Sequence, residues 1–124
     1  MMEFYYREPN EEFKIVEVEK SVDTYGMLKR HVRGIIDCVN VGELDIWIDD
    51  EGLLKSLDVN LIIKRSRTNK ITNNDTVIVG NVVFASTNEA GETIPLTTAA
   101  KEIMNNMKPA SLGANHMIYI IEDY

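Results

Sequence analysis

Apolar and polar positions nearly alternate over the first twenty residues, and then the period changes. "EFYYR" and "EFKIVEVEK" read as two strand-like pieces within Met1 to Lys20, joined by a turn at Pro9-Asn10. In the second piece Phe13 and Ile15 share one strand face, and Val16 and Val18 share the other. The phase therefore slips between Ile15 and Val16, and a bulge there would place all four on one face. From Ser21 to Val32, "SVDTYGMLKRHV", apolar residues return at helical spacing, which predicts that Tyr25, Leu28 and Val32 are buried together. Ser21 or Asp23 fits the N-cap. Lys29, Arg30, His31 and Arg33 suit the negative end of the helix dipole, and Gly34 is expected to stop the helix.

The pattern then reverts to strands. "IIDCVNV" and "ELDIWID" flank Gly42, and "DDEG" turns the chain into "LLKSL", which predicts a meander. Asp58 to Ile71 carries a basic stretch, and the Asn and Thr content from Thr68 to Asn74 marks a loop tip. "TVIVGNVVFAST" has the strongest β character in the chain, with Gly80 as a bulge or a close backbone approach. In "LTTAAKEIMNNM", Leu96, Ala99, Ala100, Ile103, Met104 and Met107 fall on one helical face, and Thr97 or Thr98 supplies the cap. "KPASLGAN" reads as a flexible link, and "HMIYIIED" as a last strand that closes the sheet or joins a neighbouring subunit. The fold class that follows is α+β: a mainly antiparallel sheet with two helices packed on it.

Composition narrows the class. A chain of 124 residues is one domain, 1–124, and can build one core without disulfides. Hydrophobic residues at 44% and charged residues at 27% suit a globular protein, and no apolar run is long enough to span a bilayer. The start is polar and acidic rather than a signal peptide, and Cys38 is the single cysteine, so the expected location is the cytoplasm. The formal net charge of −7 argues against double-stranded nucleic acid as a partner, because polyanion binding needs a broad basic surface. It leaves room for a small anionic ligand held by a few cations.

Candidate catalytic chemistry is sparse. His31 and His116 are far apart in sequence, so no metal signature forms, and no cofactor is implied. Cys38 lies in an apolar segment, where an inert buried thiol is the usual state. "DIWIDDEG" lacks the spacing of a calcium loop, and "VGNVVFASTNEAG" lacks a P-loop lysine. Two features remain. One is the cation set Arg30, Arg33, Lys64, Arg65 and Arg67, read either as solvated charge or as phosphate recognition through guanidinium forks. The other is an aromatic set of Tyr5, Tyr6, Trp47, Phe84 and Tyr119. Phe84 is either ordinary core or a platform for stacking a base.

The order "MLKRHVRGIIDCVNV … IDDEGLLKSLDVN … DTVIVGNVVFAS … GETIPLTTAAKEIM" resembles a small domain of unknown function common in phages and prophages. The motif positions are Gly34, Asp49-Asp50-Glu51-Gly52, Asn60, Val79-Gly80-Asn81 and Leu96-Thr97, and together they cover about two thirds of the chain. The family often has Asn-Arg where this chain has Asn60-Leu61, which moves that arginine's role to Arg65. The C-terminal strand and overall size are also similar to the first Thoeris anti-defence family. That resemblance implies a non-enzymatic sponge, which captures the cyclic ADP-ribose isomer made by TIR-domain enzymes, or cyclic oligonucleotides, at sites shared between subunits of a dimer or hexamer.

The expectation is therefore a phage or prophage protein that sequesters a cyclic nucleotide immune signal without cleaving it, as a homodimer or homohexamer. On that reading Arg30, Arg33 and Arg65 hold phosphates, Phe84 stacks the adenine, and Asn60 and Asn88 bond the ribose or the base edge. Two rivals stand beside it. One is an acidic protein–protein inhibitor or DNA mimic that presents "DIWIDDEG" and "IIEDY" to a defence nuclease. The other is an enzyme that hydrolyses the signal.

Overall fold

The computed structural model describes residues 2–19, 24–68 and 70–124. Two sheets and two helices make up the α+β architecture among these residues. The first sheet contains β1 (Met2–Arg7), β2 (Lys14–Val18), β3 (Ile36–Val41), β4 (Leu44–Asp49) and β7 (Val82–Thr87), in the order β2-β1-β7-β4-β3. A two-residue strand, β8 (Thr93–Ile94), pairs with the end of β7. The second sheet contains β5 (Val59–Lys64), β6 (Thr76–Val79), β9 (Lys108–Ser111) and β10 (Met117–Glu122), in the order β6-β5-β10-β9. Every pairing is antiparallel except β10 with β5.

Three layers result. Helix α1 (Thr24–Val32) packs Met27, Leu28 and Val32 on one face of the first sheet, against Phe4, Val18, Val83 and Ala85. The other face of that sheet meets the second sheet and α2 (Thr98–Asn105) across the main core. There Val82, Phe84, Ile46 and Leu44 meet Leu61, Ile63, Ile78 and Ile121, with Leu96 and Ala100 from α2 and the residues before it. Because β7 is covered on both faces, Val82 to Ser86 are all buried, and the usual alternation of exposure disappears.

Several expectations are corrected. Tyr5 and Phe4 pair in continuous register with Ile15 and Val16, so no bulge forms there, and Ile15 points to solvent. Tyr25 is exposed, and Met27 takes its place on the buried stripe of α1. The expected caps Ser21 and Asp23 lie outside the described residues. Arg33, at φ 63°, ends α1 by donating its N–H to the Lys29 carbonyl at 2.9 Å. Gly34 serves another purpose: a Cβ there would sit 2.3–2.5 Å from the Asp49 carboxylate. "LLKSL" is a run of turns rather than a strand, closed by bonds such as Lys55 N–H to the Glu51 carbonyl. The link "KPASLGAN" contains β9, which pairs with β10 and places the C-terminal strand inside its own sheet.

The long β run from Thr76 to Thr87 is cut in two by Gly80, whose φ of +77° turns the chain from one sheet into the other. Leu57 occupies the space where a Cβ would stand, 2.7 Å away. Asn60 sits where the register shifts between Val59 and Leu61, and that bulge aims its side chain inward. As expected, Thr97 caps α2, accepting from the Ala100 N–H at 3.2 Å.

Candidate functional site

The six expected ligand residues are not gathered at one place. Phe84 is fully buried between the sheets, 5.6 Å from the Phe13 ring, so it offers no face for stacking a base. Asn60 is also fully buried and its amide is fully used. Its oxygen accepts from Arg7 at 2.9 Å, and its nitrogen donates to the carbonyls of Arg7 (2.9 Å) and Gly80 (2.8 Å). Asn88 shapes the β7–β8 turn, its side-chain oxygen accepting from the N–H groups of Ala90 and Glu92. Arg65 is paired with Asp123. Arg30 is exposed on α1, and Arg33 lines a cleft of about 310 Å³ that contains none of the other five.

Other candidates are consumed internally as well. Burial, with Asp45 nearby, pushes the Cys38 thiol up to about 11, which leaves it protonated and inert at neutral pH. Asp45 accepts from Asn40 and Thr87. Asp49 is buried against Lys55 at 2.6 Å. In "IIEDY", Glu122 accepts from Lys108 and Tyr124, and Asp123 from Arg65. Among the described residues no three of His, Cys, Asp and Glu are placed to hold a metal ion.

A different site emerges around "IIKRSRTNKITNND". Along β5, Leu61 and Ile63 enter the core, so Ile62 and Lys64 face the opposite side of the second sheet. Along β10, Ile121 enters the core, while Ile118, Ile120 and Glu122 share that opposite side. The parallel register sets Ile120 beside Ile62 and Glu122 beside Lys64. These side chains floor a groove of about 340 Å³. Arg67, Thr68 and Ile71 form one wall, and Ser111, Leu112 and Tyr124 close the rest.

The loop that forms the wall is tied down by Asp75. Its carboxylate is shut off from solvent, accepts from the N–H groups of Arg65 (2.8 Å) and Thr72 (2.9 Å), and lies 3.1 Å from the Lys64 ammonium. Those backbone bonds, with Lys64, hold its pKa down to about 2. Lys64 also donates to the Lys70 carbonyl, and Arg65 binds Asp123. Two of the four cations thus brace the loop. Arg67 and Lys70 make no ion pair among the described residues. The Arg67 guanidinium lies 5.5 Å from the centre of the half-exposed Tyr124 ring. Glu122, accepting from Lys108 and Tyr124, is held below the usual carboxylate range, and its bond holds the Tyr124 phenol above its own.

The groove offers a floor of three isoleucines with Lys64 and Glu122 at one end, a ring, hydroxyls at Thr68 and Ser111, and the Arg67 guanidinium, which makes no ion pair among the described residues. That combination suits a planar ligand with an anionic group. Tyr124 is the residue that sequence reasoning missed, because a C-terminal tyrosine carries no pattern. The alternation Leu61-Ile62-Ile63-Lys64 was the available signal for which cations share a face with it.

No curated protein and no solved structure matches the chain. A family model described as a domain of unknown function, DUF3846, matches residues 2–108. That match takes in α1, the Gly34–Asp49 approach, Asn60, Gly80 and α2, and the chain belongs to the DUF3846 family.

Proposed function

We propose that the protein is a binding module that captures a nucleotide, or a similar ring-bearing phosphate, in the groove on the outer face of its second sheet. The observation that carries this reading is the Arg67 guanidinium, without an ion pair among the described residues, beside the Tyr124 ring and over the isoleucines of the floor. Arg67 would take a phosphate by a two-point bond, Tyr124 would stack the base, and Thr68 and Ser111 would bond sugar or phosphate oxygens. Ile62, Ile118 and Ile120 lower the local polarity around these bonds, which strengthens them. Capture of a cyclic ADP-ribose isomer by a phage or prophage anti-defence protein is the fuller form of this proposal. That part is supported by the sequence resemblance alone, as are the homo-oligomeric state and the absence of ligand cleavage.

Isothermal titration with glycocyclic ADP-ribose, linear ADP-ribose and ATP tests the proposal. Heat with any of them that disappears in Arg67→Ala supports nucleotide capture, and a preference for the cyclic compound supports the immune-signal form. No heat with all three at micromolar protein rejects it. Recovery of intact ligand after heat denaturation separates capture from hydrolysis.

A further inference from the structure

Leu53 and Leu54 are 73% and 84% exposed. A single exposed leucine is ordinary, but two in sequence on a fixed turn are not. The turn is pinned at its base: a Cβ on Gly52 would meet Val79 at 2.8 Å, and Leu57 folds back against Gly80. Bonds from the N–H groups of Lys55 and Leu57 to the Gly52 carbonyl close it. The two leucines are therefore held out at little further entropic cost on binding. Their charged surroundings are acidic. Lys55 is taken by Asp49 at 2.6 Å, while Asp50, Glu51 and Asp58 make no ion pair among the described residues.

A complementary surface lies elsewhere, between α2 and the β1–β2 connection. A cleft of about 330 Å³ is lined by Tyr5, Phe13, Leu96, Met104 and Met107, with Lys101 beside them. Its walls are aromatic rings and flexible thioethers, which adapt to branched apolar side chains. Lys101 is exposed and makes no ion pair among the described residues.

We propose that the Leu53-Leu54 turn of one copy inserts into the Tyr5–Phe13–Met104–Met107 cleft of a second copy, with Glu51 of the first copy against Lys101 of the second. Knob and hole share no residue, so each copy can give one and receive one: the contact builds a two-fold dimer if two copies exchange turns, a ring if a larger rotation closes, and a chain if none does. A second copy fits because this chain carries both halves: an apolar pair with unpaired acids and an apolar cleft with an unpaired cation. The contact involves none of the groove residues and needs no nucleotide.

Sedimentation velocity over a series of protein concentrations, without nucleotide, tests it. The wild type should self-associate, and Leu54→Asp and Lys101→Glu should each weaken association by about tenfold or more. Both positions are exposed, so circular dichroism should show an unchanged fold. The double variant Glu51→Lys with Lys101→Glu should regain most of the loss. A wild type that stays monomeric throughout, or association that Leu54→Asp leaves unchanged, overturns the proposal. A charge swap that restores nothing overturns the pairing of Glu51 with Lys101.

Discussion

Arg7 and Asn60 are bonded to each other in both directions across the two sheets. The Arg7 guanidinium donates to the Asn60 side-chain oxygen at 2.9 Å, and the Asn60 amide donates back to the Arg7 carbonyl at 2.9 Å. The same guanidinium donates to the main-chain carbonyls of Glu11, Asn60 and Met117. Its flat face lies 4.8 Å from the Tyr119 ring centre. Among the described residues no carboxylate accepts from this buried cation; carbonyl oxygens and a ring surround it. Burial pushes the Arg7 pKa down, opposed by Tyr119 and Glu11. One polar knot therefore joins β1, the β5 bulge and the start of β10.

Breaking the knot from either side should cost about 2–4 kcal/mol, because each truncation leaves buried donors or acceptors without partners. Arg7→Met strands the Asn60 oxygen, and Asn60→Ala strands an Arg7 N–H and the Gly80 carbonyl. The double variant should cost clearly less than the sum, because the second change removes groups already orphaned. Urea denaturation of the four proteins measures this. Additive losses would show that the two residues act independently.

Gly34 and Gly91 give a second comparison. Gly34→Ala pushes a methyl group into the Asp49 carboxylate, which is itself buried and bonded to Lys55 and the Glu51 N–H. The strain and the displaced charge should cost about 2–3 kcal/mol or more. Gly91 has open space around its missing Cβ, so Gly91→Ala should cost only about 1 kcal/mol, from its φ of +82°. Thermal melts should rank Gly34→Ala well below Gly91→Ala. Equal melting temperatures would mean that Asp49 moves aside freely.

The regular elements were legible in the sequence because they rest on local periodicity. Helix α2 with its Thr97 cap and the β3–β4 hairpin around Gly42 follow from spacing, and the β character of Thr76 to Thr87 from composition, although its division between two sheets at Gly80 does not. Long-range relations were not legible. Phe84 reads equally as core or platform until β7 is known to be covered on both faces. Asn60 reads as a free polar group because its partner Arg7 is 53 residues away. "LLKSL" has strand composition, but its main-chain bonds are spent within the turn. Pro109 makes "KPAS" read as a link, although an edge strand tolerates a proline. The basic stretch was visible as charge, but which of its cations brace the loop (Lys64, Arg65) and which makes no ion pair among the described residues (Arg67) depends on Asp75 and Asp123.

Asp75 should make the groove acid-sensitive. Its folded pKa of about 2 lies below the unfolded value of about 3.9, so the folded protein binds this proton less readily. The stability it contributes is fully present above pH about 4 and is lost as pH falls toward 2. Asp49 is also lowered: burial pushes it up, but bonds from Lys55 and the Glu51 N–H outweigh that, so it adds loss in the same direction. Asp75→Asn should be less stable at neutral pH and lose less on acidification than the wild type. Hydrogen exchange of the Arg65 and Thr72 amides, which the carboxylate holds, should quicken in that variant. Parallel acid titrations of both proteins would discount Asp75 as the source.

The groove makes the sharpest functional demand. If a nucleotide binds there, Tyr124→Ala should weaken it by about tenfold or more through lost stacking. Arg67→Ala should weaken it by about tenfold, and added salt should reduce the affinity of the wild type more than that of the variant, because the lost contact is ionic. Arg30→Ala, on α1, and Arg33→Ala, just past its end, both away from the groove lining, should leave affinity unchanged. Phe84→Leu should lower the melting temperature while the folded protein keeps its affinity, because Phe84 touches the core and not the groove. Titration calorimetry on the five variants reads the affinities, and thermal melts of Phe84→Leu and the wild type read the stability. Binding that survives Arg67→Ala and Tyr124→Ala but is lost with Arg33→Ala would move the site to the cleft between Glu8, Asp49 and Asn81.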